Sequence, residues 1–289
     1  VILVITLIAA GSNAFLNWVL IYGHLGMPRL EVEGAAYATI IAKTVEMLLL
    51  IGYTIKERPE FISFSVFKRI DWALFGRILK KGSLLIISQM MWVLSESFTA
   101  AIYNGRGNAA VVSGMAASFS IANLFFISFD GITTATGVLI GKSLGRNELD
   151  DARKEKTWML SAAIIFGCIM CLVGVVTVLL VPVVFGNLSI DAQNICRAML
   201  LLMALFMPLW TFVNTQLAVC RAGGDTKVGF LVDGGTTAVM IPMLLILAFF
   251  TNASPVMMYF GVKALDVGKI IVATHEMKKE RWVVNLSNA

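Results

Sequence analysis

Glu46, Glu96, Asp130, Asp233, Lys263, Asp266 and Lys269 are ionisable side chains inside stretches otherwise apolar enough to sit in lipid. A charge deep in hydrocarbon costs several kcal/mol, so each is by default a candidate for handling an ion or a proton. Glu96 leads them, because Gln89 stands seven residues earlier and so falls on the same helical stripe. A lone intramembrane carboxylate there can exchange a proton or hold a cation, and its alternative is a neutral acid hydrogen-bonded to a neighbouring serine. Asn13 and Asn17, four apart, stack on one helix face. Their carboxamide oxygens suit a hard cation such as sodium, and the same groups also serve as glue between helices. Asp130 precedes Gly131 and a threonine-rich turn, Thr133, Thr134 and Thr136, where a helix-packing hydrogen bond competes with a site. Lys263, Asp266 and Lys269 stand at helical spacing near one end of their stretch and read as an interfacial anchor with snorkelling lysine stems.

Other chemistry is excluded more firmly. Cys168 and Cys171 form a C-x-x-C within an apolar run, with no second pair and no histidine to complete a metal site. His24 and His275 are far apart and belong to no nucleophile-base set, so an enzyme has no residue constellation behind it. No Walker sequence is present, so any pumping draws on an ion gradient or on another chain. No organic cofactor is implied, and sodium or a proton is the coupling ion to expect.

The elements that position these residues follow from composition. Of 289 residues 58% are hydrophobic and 14% charged, and the apolar ones gather into about eight stretches near the ~20 residues that span a bilayer. These are Val1 to Tyr22, Ala35 to Ile55, Gly82 to Tyr103, Asn108 to Ile140, Thr157 to Phe185, Ala192 to Val219, Val228 to Phe250 and Pro255 to Thr274. Runs such as Ala162 to Val184 are apolar all round rather than alternating, which favours helices over the strands of a barrel. The fold class is therefore an all-α integral membrane protein. One alternating set of loops carries 17 Lys and Arg and the opposite set only Arg29 and Arg106, which predicts both termini of this chain on the cytoplasmic side. The net charge of +5 is then a matter of topology and implies no nucleic-acid partner.

Residues 56–81 form the longest polar interruption. Phe67, Ile70, Leu74 and Phe75 fall near helical spacing there and predict an amphipathic cytoplasmic helix that joins two bundles, 1–55 and 82–289. Pro208 and Pro242 lie deep in their spans, where they signal either packing and kinks or helices that bend around a cavity.

Several stretches, in order, resemble the multidrug and toxic compound extrusion (MATE) family. Asn13-Ala14-Phe15-Leu16-Asn17, Leu20-Ile21-Tyr22-Gly23, Gly26-Met27-Pro28 and Gly34-Ala35-Ala36-Tyr37-Ala38-Thr39 are similar to its fifth and sixth helices. Val138 to Gly145 with Ala152-Arg153 resembles the loop after its eighth helix, Arg221 to Lys227 the loop after its tenth, and Lys278 to Leu286 its C-terminus. The resemblance implies a partial two-lobe bundle of the six-plus-six type, with helices five to twelve in this chain and the first four lacking. It implies antiport, sodium or protons inward against an amphipathic, often cationic, compound outward, across the cell membrane.

One branch of the family uses an Asn and an Asp four apart on helix five and a Thr on helix six. Those positions match Asn13, Asn17 and Thr39, with Asn17 standing where that branch has the acid. Another branch places coupling carboxylates on helices seven and ten. The first of these positions falls at Gln89 to Trp92, about a turn from Glu96, and the second, around Trp210 to Gln216, has no carboxylate. The expected partners are the bilayer and a small-molecule substrate lying against Gln89, Met90, Trp92, Phe98 and Gln216, with the full-length protein a monomer. Two alternatives stay open: a non-transporting fragment of such a transporter, and a flippase for lipid-linked saccharides, which would need cationic residues where the spans offer only Lys43, Arg197, Lys263 and Lys269.

Overall fold

The computed structural model describes residues 1–57 and 71–285. The described residues are helical almost throughout and divide into two units, Val1–Trp72 and Ala73–Ala289. The first unit pairs α1 (Ile2–Tyr22) with α2 (Glu31–Glu57). The second holds α3 (Trp72–Arg106), α4 (Ala109–Gly145), α5 (Leu149–Val184), α6 (Ile190–Ala222), α7 (Lys227–Phe250), α8 (Pro255–Ala264) and α9 (Asp266–Lys278). Among the described residues seven helices, α1 to α7, are long and apolar enough to cross a membrane. Most of the expected amphipathic stretch, including Phe61, Phe64, Phe67 and Ile70, lies outside the described residues. Residues 72–81 form the start of α3.

The helices outrun the apolar stretches because helix formation continues into the charged flanks. α5 has 36 residues, so it is ~54 Å long against a hydrocarbon layer of ~30 Å. Its extra turns carry Asp150 and Asp151 at the positive end of the helix dipole, paired to Arg153 at 2.8 Å and Lys154 at 3.0 Å. At the start of α4, Asn108 accepts from the Val111 N–H. Ser189 does the same for Ala192 in α6, and Ser254 for Met257 in α8. Arg106, at the end of α3, donates to the Leu247 and Thr251 carbonyls and so closes the open end of α7.

The eighth apolar stretch forms two short helices, α8 and α9, that meet at Leu265. At Leu265 the N–H turns to the Val262 carbonyl three residues back, at 3.2 Å, and Gly268 repeats the tight bond to Leu265. Lys263 thereby sits in the last turn of α8 and Asp266 in the first turn of α9, each charge facing the dipole end that favours it.

α6 is the spine of the second unit, contributing to four of the five hydrophobic clusters through residues such as Cys196, Met203, Met207 and Leu217. Helices gain no hydrophobic drive from one another in lipid, so close approach of small residues has to supply contact area. A Cβ on Gly167 of α5 would lie 2.5 Å from the Pro208 Cα, and one on Gly174 would lie 2.7 Å from the Ala204 Cβ. α6 runs through Pro208 without interruption, which fits close packing there rather than a hinge.

At one end of this unit Trp282 is almost wholly buried, its Nε1 donating to the Met277 carbonyl, with the Lys156 ammonium 5.8 Å from its ring. Gly223 lets the chain fold under it: a Cβ there would stand 1.8 Å from the Trp282 carbonyl oxygen, a backbone atom that cannot swing aside. Gly223→Ala is therefore expected to cost ~2 kcal/mol, in the range of overpacked cores. Thermal unfolding of the detergent-solubilised chain checks this, with an unchanged midpoint counting against the packing described.

Candidate functional site

Two polar clusters sit within the apolar elements, one in each unit. In the first, Asn13 and Asn17 lie a turn apart on α1, and the Asn17 amide donates to Asn13 Oδ1 at 3.0 Å. The Asn13 amide reaches Thr39 Oγ1 of α2 at 3.5 Å, while the Thr39 hydroxyl donates to the Ala35 carbonyl. The structure thus brings Asn13, Asn17 and Thr39 together. Asn17 Oδ1 is buried with no hydrogen-bond partner, leaving one carboxamide oxygen of the set unused. Glu46 is apart from these three and pairs with Lys43 at 2.7 Å.

The second cluster gathers α3, α6, α7, α8 and α9. Lys263 Nζ donates to Glu96 Oε1 at 2.8 Å, across 167 positions of sequence. Trp210 Nε1 of α6 donates to Asp266 Oδ2 at 2.8 Å, and Lys269 approaches the other oxygen at 3.2 Å. Ser88 of α3 donates to Asp233 of α7 at 2.7 Å. A cavity of about 20 Å³ opens between Trp92, Glu96, Asp233, Thr237, Lys263 and Asp266. That is room for about one water molecule and far below the ~300 Å³ of the smallest drug sites, so this cluster suits an ion or a proton.

Lys263, Asp266 and Lys269 are here corrected from an interfacial anchor to members of an internal charge cluster. Their side chains are 13%, 8% and 20% exposed, against 32% for Glu96. Helical spacing had shown that they share a face, but the partner that turns the face inward is on α3. No local pattern carries a pairing over that separation. The structure also resolves the two remaining motifs. Asp130 is exposed on α4, and Thr133 bonds to the Phe129 and Asp130 backbone carbonyls instead of to its carboxylate. Cys168 and Cys171 are free, and the described residues include no His, Cys, Asp and Glu group able to hold a metal.

The residues expected to meet a substrate are distributed unevenly. Gln89, Met90 and Phe98 are exposed on α3, and Trp92 is exposed while also lining the small cavity. Gln216 is fully buried in α6, where its amide donates to Thr274 Oγ1 at 2.8 Å and its Oε1 finds no partner among the described residues.

A family model described as MatE matches residues 85–246, more than half of the chain. The chain belongs to the MatE family. It is 26% identical over 291 residues to the probable multidrug resistance protein NorM of Mesorhizobium japonicum, covering 96% of this chain and 61% of that protein. It is 27% identical over 274 residues to the NorM of Brucella suis, covering 91% of this chain and 57% of that one. Among solved structures, the Vibrio cholerae MATE transporter VcmN in its bent form superposes with a TM-score of 0.74 at 17% identity, over 97% of this chain and 63% of its own. A MOP superfamily transporter from Pyrococcus furiosus superposes at 0.76 with 18% identity, over 94% and 59%. The fold of this MatE chain is that of MATE transporters, and the chain spans about three-fifths of the length of the relatives it matches.

Glu96 and Lys263 each neutralise a charge that would otherwise be stranded in an apolar lobe. Removing one partner of a buried pair costs 3–5 kcal/mol, reduced here to ~2 kcal/mol because Glu96 is about one-third exposed. Glu96→Gln and Lys263→Met should each lower the melting temperature, and the double variant should regain most of the loss. Strict additivity of the two losses in a double-mutant cycle would show that the pair is not coupled.

Proposed function

We propose that this chain is part of a secondary antiporter that exports amphipathic, often cationic, compounds in exchange for sodium or protons. The observation that carries this reading is the match to the multidrug resistance protein NorM along almost the whole chain. The two polar clusters support it. Each is built from groups that handle small cations, and each is embedded among helices able to cross a bilayer. Asn13, Asn17, Thr39 and Glu96 are the coupling residues in this reading. Met90 and Phe98, exposed on α3, offer apolar surface to a substrate that varies in shape, since thioethers repack readily. The protein works as a monomer in the cell membrane, with the basic loops and both termini of this chain in the cytoplasm.

The charge balance of the second cluster argues against a flippase for pyrophosphate-linked lipids. Three carboxylates, Glu96, Asp233 and Asp266, outnumber two ammonium groups, Lys263 and Lys269. An anion would meet net negative charge there.

In cells lacking their own efflux pumps, expression of the gene that encodes this chain should lower accumulation of a cationic dye such as ethidium by several-fold. Collapsing the sodium and proton gradients together should abolish the effect, and collapsing them singly should identify the ion. Efflux that survives loss of both gradients would rule out antiport.

A further inference from the structure

Lys263 is held as a bound organic cation would be. Its ammonium faces a carboxylate oxygen of Glu96 at 2.8 Å, the Tyr259 ring at 5.4 Å and the Trp210 ring at 5.6 Å. A carboxylate for the charge and aromatic faces for the cation's field form the recognition set used for ammonium ligands. With 13% of its side chain exposed, Lys263 lies inside the lobe rather than at its rim. Lys269 pairs with Asp266 at 3.2 Å, within the same helix. Asp233 is the only one of the three carboxylates in this lining with no cation beside it among the described residues, and it is engaged by the Ser88 hydroxyl.

We propose that Lys263 is the resident cation of this lobe, a tethered ammonium that fills the place at Glu96 where a coupling ion would otherwise bind. While Lys263 is docked, Glu96 has no free charge to offer a sodium ion, so the Glu96 position is closed to inorganic cations. The sodium-competent state is one in which the lysine has been removed or has swung away. The inference rests on the transporter reading for its use in coupling, but the binding itself does not depend on transport, and the two can fail separately.

Binding of radiolabelled sodium to the full 289-residue chain in nanodiscs tests this, with tryptophan emission as a second readout because Trp92 and Trp210 adjoin the cluster. The wild-type chain should show no Glu96-dependent sodium binding. Lys263→Met and Lys263→Gln should each gain a sodium site at least ~10-fold tighter than any in the wild type, equivalent to ~1.4 kcal/mol. Adding Glu96→Gln should remove it, and Lys263→Arg, which keeps the charge, should not gain it. A purely structural lysine would change the melting temperature without creating a sodium site. Glu96-dependent sodium binding in the wild type would overturn the proposal, as would folded Lys263→Met and Lys263→Gln chains that gain none. Should neither variant fold, the wild-type measurement alone decides in the same sense.

Discussion

In hydrocarbon every backbone amide must be satisfied within its own helix, which leaves side chains alone to join one helix to another. In the second unit two kinds of contact meet that demand. Along α6 the contact is apolar and close, with Gly167 against Pro208 and Gly174 against Ala204. Along α3 the inward face is narrow and polar, with Ser88, Ser95 and Thr99 all buried. Ser88 reaches Asp233 of α7, Ser95 lies 3.5 Å from the Met240 sulfur, and the next residue, Glu96, meets Lys263 of α8. α3 is thus positioned mainly by polar groups, and the chemistry of the lobe lies in the same contacts that hold it together.

That coincidence explains the break after α8. A continuous helix would put Lys263 and Asp266 in mid-helix, where neither dipole end is available to them. The tight turn at Leu265 supplies a helix end to each, so the ammonium gains the carbonyl end of α8 and the carboxylate gains the amide end of α9. Asp266 can then accept from Trp210 on one oxygen and from Lys269 on the other. The break leaves both charges compensated inside an apolar lobe.

The membrane-spanning helices were legible in the sequence because lipid enforces length and composition, and α1 to α7 each cover the apolar stretch that announced them to within one residue. Their ends were less so, since the flanking turns of α3 and α5 are charged and answer to helix propensity rather than to hydropathy. The Asn13, Asn17 and Thr39 set was half visible: spacing stacks the two asparagines, whereas Thr39 came into view only through family resemblance. Glu96 stood out as a lone acid, yet its partner did not, because a lysine near a span end has a sufficient explanation in snorkelling. What distinguishes an anchor from an internal cation is the helix opposite, and that is decided by packing 167 positions away.

The two units hold polar groups by different means, and the difference bears on coupling. The α1 and α2 cluster is built of neutral amides and a hydroxyl, with the buried Asn17 Oδ1 still unpaired, so a cation arriving there would have to bring its own charge into the site. The second cluster has charge already present and largely cancelled, with Glu96 against Lys263 and Asp266 against Lys269. A neutral amide site attracts an ion weakly and releases it easily, whereas a carboxylate in low dielectric binds strongly and needs something to take the ion's place when it leaves. A tethered ammonium is such a replacement, because it neutralises the empty carboxylate without leaving the protein. In the proposed reading, the docked lysine is what lets Glu96 stay in an apolar lobe with no inorganic cation beside it.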